Sequence, residues 1–140
     1  MKYLIDANIL IQPFLKQDKA QQCAELLNKL DYGEIEGVIT VFHLDAAGIL
    51  LKNKGLSEED VAQLYYRVYD AKGLEARYTG ISARLKALAD EKNSGIDDSL
   101  ISQAMDDLDL NTVITYDTDF KEKLRITPED VLSRQGADSS

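Results

Sequence analysis

Cys23 is the only thiol in this chain of 140 residues. It has no partner for an intramolecular disulfide, and a cysteine-rich zinc site is excluded. His43 is likewise the only histidine. No apolar run approaches the roughly 20 residues of a membrane-spanning helix. The opening Met1–Asp6 segment is interrupted by an acid too early for a secretory signal. A cytoplasmic location with no membrane contact is the expectation. A glycine-rich phosphate loop and a Ser-His-Asp order are both missing. Positive charge is in deficit, with 16 lysines and arginines against 25 acids and a formal net charge of −9. A protein that holds nucleic acid by a broad basic surface carries the opposite sign. The charge remains compatible with a nuclease whose carboxylates are neutralised by metal, or with a basic partner or second subunit.

What is present suits one folded domain. Apolar residues make up 44% and charged residues 29% of the chain, values that argue against disorder. With no repeat, linker or low-complexity tract, a single domain over 1–135 is expected, with 136–140 as a frayed tail. Lys2-Tyr3-Leu4-Ile5 is a β-prone run that stops at Asp6, and Asn8 opens a helix. Ala20, Cys23, Ala24, Leu26, Leu27 and Leu30 have helical spacing. Gly37 to Val41 reads as a second buried strand, followed by a helix from Leu44 to Leu51. Ser57 caps a helix that runs to about Ala71, with Glu58, Glu59 and Asp60 in its first turn. A further helix lies within Leu74–Lys92, so that Leu56–Lys92 reads as a helical hairpin. Another helix covers Asp97 to Leu108, Asn111 to Tyr116 is a third strand, and Arg125-Ile126 is a short edge strand. Pro128 suits the first turn of a last helix. Strands alternate with helices, so the class is α/β, with a parallel sheet flanked by helices on both faces. Sites in such folds lie at the carboxyl ends of the strands.

Two strands end on acids, at Asp6 and Asp117, and Asp97-Asp98 opens the helix that feeds the third strand. Carboxylates gathered in a cleft repel one another. Mg²⁺ or Mn²⁺, which prefer oxygen ligands, relieve that repulsion. Two such ions about 4 Å apart activate water and stabilise the leaving oxygen of a phosphodiester. Each acid also has a purely structural reading: Asp6 and Asp98 as helix caps, Asp117 and Asp119 as turn residues. One such coincidence is cheap, but all of them in one α/β chain are less so.

At these residues the sequence resembles the PIN-domain family, and within it the VapC-type toxins. Tyr3-Leu4-Ile5-Asp6-Ala7-Asn8-Ile9-Leu10 is similar to the family's opening strand and first acid. Asp98-Ser99-Leu100-Ile101-Ser102-Gln103-Ala104 is similar to the helix bearing the third acid. Thr115-Tyr116-Asp117-Thr118-Asp119-Phe120 is similar to the close of the last strand and is the most specific of the three. The resemblance implies a three-layer α/β/α fold and a metal-dependent endoribonuclease using Mg²⁺ or Mn²⁺. It further implies an RNA substrate, an antitoxin protein as partner and a homodimer. Asp6, Asp98 and Asp117 then form the metal-binding core, with Asp119 beside them and Asn8 and Thr115 in support.

The family usually carries a glutamate on the helix after the second strand, and this chain has Ala46 at that spacing. Asp45 is adjacent, but neighbours on a helix point about 100° apart. Either Asp45 serves as the second acid or the site lacks one. In the second case the chain is a catalytically weakened PIN domain that binds RNA or protein. His43, Cys23 and the tyrosines Tyr65, Tyr66 and Tyr69 are read as packing or contact residues, and Lys52 and Lys54 as solvated surface. A phosphoacceptor receiver domain fits less well, since Thr40-Val41-Phe42 carries no acid and Lys121 is poorly placed. A halo-acid-type phosphatase needs Asp-x-Asp where this chain has Asp6-Ala7-Asn8.

Overall fold

Tyr3, Leu4 and Ile5 are buried in the strand β1 (Lys2–Ile5), at the centre of a five-stranded sheet. The computed structural model describes residues 1–89, 96–118 and 124–138, with the side chains of 87, 96–99 and 136–138 left aside. The other strands are β2 (Glu36–Thr40), β3 (Leu74–Arg77), β4 (Thr112–Ile114) and β5 (Leu124–Ile126). Their order is β3-β2-β1-β4-β5 and every pairing is parallel. All carboxyl ends therefore share one edge of the sheet.

Alternation along the strands divides the core between two faces. Tyr3, Ile5, Ile39 and Ile114 pack in one cluster, while Leu4, Val38 and Val113 pack in another. The first face is covered by α1 (Asn8–Leu15), α2 (Ala20–Asp31), α3 (Val41–Asn53), α4 (Glu58–Asp70) and α7 (Pro128–Asp138). The second is covered by α6 (Ile96–Asp107), through Ile101, Ala104 and Met105, and α5 (Ile81–Ala89) packs on α6. This is the three-layer α/β/α arrangement expected from the alternating pattern. Among the described residues no helix is long and apolar enough to cross a membrane.

Local chemistry sets most of the boundaries. On α2 the buried residues are Cys23, Leu26, Leu27 and Leu30, one stripe at helical spacing. Ser57 and Asp60 form a reciprocal capping box at the start of α4. Thr40 ends β2 and caps α3, its hydroxyl accepting from the backbone N–H of His43 at 3.3 Å. Helix α7 continues to Asp138, into the stretch expected to fray, and residues 139–140 lie outside those described.

The helical hairpin expected over Leu56–Lys92 is corrected by the structure. Between α4 and α5 the chain forms β3, which pairs with β2 along its whole length. Its residues, Leu74-Glu75-Ala76-Arg77, are good helix formers, and tertiary pairing overrides that preference. Gly73 makes the pairing accessible. Its carbonyl accepts from Gly37 at 2.7 Å and its N–H donates to the Leu30 carbonyl at 2.8 Å. A Cβ at Gly73 would stand 2.1 Å from the Ile35 carbonyl oxygen, so only glycine permits this approach.

Candidate active site

Sheet pairing carries the first acid to the carboxyl edge. The Asp6 N–H donates to the Ile114 carbonyl at 3.1 Å, extending the β1–β4 register by one residue. The chain then turns into α1, and the N–H of Asn8 donates to Asp6 Oδ1 at 3.3 Å. The helix cap foreseen for Asp6 is not formed, since the N-cap position is Ala7 and has no side-chain cap bond; Asp6 instead takes the Asn8 N–H in the turn before α1. Beside it, Thr115 follows β4 and is held to β5 by its N–H on the Ile126 carbonyl at 3.0 Å. Its buried hydroxyl donates to Asp6 Oδ2 at 2.6 Å and accepts from the N–H of Asp117 at 2.9 Å. One hydroxyl therefore fixes the first carboxylate and the backbone of the last. Arg125 completes the support of Asp117, donating to its carbonyl at 3.1 Å.

These residues open on a cleft of about 230 Å³. Asp6, Asn8 and Asp117 supply its polar wall, while Ile11, Ala47, Leu50 and Ile101 supply an apolar one. From α3 it is lined by His43 and Ala46. His43 is tethered through Nδ1 to the Thr40 hydroxyl. Asp98 lies on α6 three residues before Ile101, one turn along the helix. Its side chain falls outside the described residues, as does the whole of Asp119. Among the described residues no group of three acidic, histidine or cysteine side chains gathers to hold a metal. The donor chemistry nevertheless fits a hard divalent cation, because the cleft's polar wall includes two carboxylates and an amide.

Asp45 is not brought to the cleft. It accepts from the Tyr65 hydroxyl at 2.7 Å and faces a separate groove of about 480 Å³ between α3 and α4. Burial, with the Asp45 hydrogen bond and charge added, pushes the Tyr65 hydroxyl up to about 12. Lys52 lines the same groove and pairs with Glu58 at 3.2 Å. The position facing the cleft is that of Ala46, as helical geometry requires for its neighbour.

Next to Asp117 along the chain, Tyr116 belongs to a half-buried polar network. The Tyr116 hydroxyl donates to Glu129 of α7, and Lys19 stands 5.5 Å from the Tyr116 ring. Burial raises the Tyr116 hydroxyl above its ordinary range, reinforced by the Glu129 bond. Burial also pushes the Cys23 thiol up to about 11, with the Glu129 charge adding to it. Cys23 is accordingly an inert core thiol. Arg125 is a residue that the sequence reading does not single out. Its signal is its place on the strand that pairs beside β4.

With this geometry in place, one comparison is decisive: the PIN domain family model matches residues 3–125. The chain belongs to the PIN domain family. The match spans β1 through β5, so the acids at the ends of β1 and β4 stand inside a PIN domain. Among solved structures this PIN domain is similar to Mycobacterium tuberculosis VapC20, described as a sarcin-ricin-loop-cleaving toxin. The TM-score is 0.66 at 10% sequence identity, over 86% of this chain and 92% of that one. At that identity the likeness is one of fold. No curated protein matches the chain.

Proposed function

We propose that this PIN domain is a divalent-metal-dependent endoribonuclease, and the toxin of a toxin–antitoxin pair. The observation that carries the reading is the Thr115 hydroxyl, which ties Asp6 after β1 to Asp117 after β4 at one cleft. PIN-domain nucleases generally use divalent metals. Asp6 and Asp117 would hold Mg²⁺ or Mn²⁺ here, with Asp98 and Asp119 completing the set. When bound, such a cation supplies Lewis acidity and a low pKa for coordinated water. The chain's residues supply the rest. Thr115 and the Asn8 N–H each hold one oxygen of Asp6, so the carboxylate keeps a fixed orientation with lone pairs to spare. Asp117 is tied on both sides, its N–H to Thr115 and its carbonyl to Arg125. Ile11, Leu50 and Ile101 line the apolar side of the cleft opposite these carboxylates.

The test is cleavage of a defined single-stranded RNA in Mg²⁺ or Mn²⁺. Cleavage is expected to stop on chelation and in Asp6→Asn and Asp117→Asn, and to survive in Thr115→Ser but not Thr115→Val. Cleavage that persists in chelator, or in Asp117→Asn, contradicts the reading.

Ala46 at the cleft favours a second reading, a weakened PIN domain that binds RNA or protein without cutting. Neither wild type nor Ala46→Glu would then cut any RNA at millimolar Mn²⁺. An antitoxin and a second copy of the chain are the proposed protein partners. The dimer reading draws support from Ile81, Leu85 and Leu88, which form one stripe on α5 and are each more than 60% exposed.

A further inference from the structure

We infer that Arg84, Tyr78 and Arg125 form a track that lays single-stranded RNA across the carboxyl edge of the sheet. The inference rests on the nuclease reading and specifies how an acidic chain grips its substrate. In this molecule many cations are spent on acids: Lys2, Lys29, Lys52, Arg67 and Arg77 each stand in an ion pair. Arg84 and Arg125 are held differently. Arg125 donates to the carbonyl of Asp117, and Arg84 donates to the carbonyl of Thr79. A neutral carbonyl fixes a guanidinium without cancelling its charge, and leaves most of its five donors for another acceptor. Arg84 is further steadied over the Phe42 ring at 5.5 Å. That ring meets the cleft-lining His43 edge-on, with centroids 5.1 Å apart.

The topology puts the two arginines on opposite sides of the acids. Arg125 belongs to β5, one edge of the sheet, and Arg84 to the helix after β3, the other edge. Asp6 and Asp117 follow β1 and β4, between them. With Arg84 anchored at Thr79 after β3 and lying over Phe42 after β2, the track crosses three to four interstrand gaps, roughly 14–19 Å, enough for several nucleotides of one strand. Tyr78 is 84% exposed and immediately precedes Thr79, whose carbonyl anchors Arg84. An exposed ring beside a fixed guanidinium is a stacking platform for an unpaired base. Phosphates bind Arg84 and Arg125, a base stacks on Tyr78, and the phosphodiester between the arginines passes over the acids. A base held in a duplex cannot make that stack, so the track selects single strands.

The test is fluorescence anisotropy of a labelled single-stranded RNA dodecamer, with Ca²⁺ in place of Mn²⁺, over a KCl series. Arg84→Gln and Arg125→Gln are each expected to weaken binding about tenfold. Each should also lower the magnitude of the log K against log salt slope by about 0.7, one phosphate contact's worth. Arg125→Lys should restore the slope. Tyr78→Ala should weaken binding with the slope unchanged and reduce the preference for single strands over a duplex of the same sequence. Mn²⁺ affinity and the thermal midpoint should match wild type in Arg84→Gln and Tyr78→Ala, which separates RNA contact from damage to the acid cluster, while Arg125→Gln, which also loses the bond to the Asp117 carbonyl, is read by its salt slope and by the rescue in Arg125→Lys. Wild type that cuts RNA while the glutamine variants keep its affinity and slope overturns this track alone. Wild type that neither binds nor cuts RNA overturns the nuclease reading and the track together.

Discussion

Ala46 and Asp45 occupy neighbouring positions on α3 but face different surroundings. Ala46 lines the cleft and is open enough to admit a longer side chain, whereas Asp45 is engaged by Tyr65. Ala46→Glu should therefore add a ligand, raising Mn²⁺ affinity about tenfold and RNA cleavage with it; isothermal titration and an RNA cleavage assay measure the two. Asp45→Ala should leave cleavage unchanged while lowering the Tyr65 pKa from about 12, read by spectrophotometric titration. Loss of cleavage in Asp45→Ala would mean that Asp45 reaches the cleft after all. At this scale Asp6, Thr115 and Asp117 are legible in the sequence, because a β-prone run that stops at an acid places that acid at the sheet edge. Ala46 is legible too, since counting from the end of β2 fixes its helical face. Arg125 is not, because its role depends on which strand lies beside β4, and that pairing is a long-range fact.

The strands and helices follow largely from patterning, and the exception is instructive. The stripe on α2, the Ser57 cap of α4 and the apolar runs of β1, β2 and β4 are all local signals. Strand β3 has none, since its four residues favour helix and its existence depends on an edge of β2 left open for pairing. Gly73 is the residue that admits it. Gly73→Ala should destabilise the domain by about 3 kcal/mol, because the new methyl meets backbone oxygens that cannot move aside. Urea unfolding measures that loss, and a variant as stable as wild type would show that β3 docks without the close approach. Ser57→Ala is a milder control within the same region, at about 1 kcal/mol.

Taken whole, the molecule is a parallel sheet with Asp6 and Asp117 at one cleft of its carboxyl edge, in a chain of net charge −9. Its stability should be sensitive to alkali. The folded Cys23 thiol holds its proton up to about 11 against an ordinary 9.0, and Tyr65 up to about 12 against 10.0. Both groups bind more protons folded than unfolded at high pH, so stability must fall as pH rises. Their contribution is complete below about 9 and is lost progressively between about 9 and 12. Urea midpoints should decline over that window, and Cys23→Ala should decline less steeply in its lower half. Leu85→Glu should convert a dimer to monomer in light scattering if the exposed α5 stripe is the contact. The nuclease reading turns on a metal site at the carboxyl edge of the sheet. Anomalous scattering at the manganese edge, from crystals grown in Mn²⁺, addresses it most directly. A peak is expected within about 2.5 Å of the Asp6 and Asp117 carboxylates, absent from Asp117→Asn. A wild-type crystal with no peak at that cleft, or with its peaks elsewhere, would contradict it.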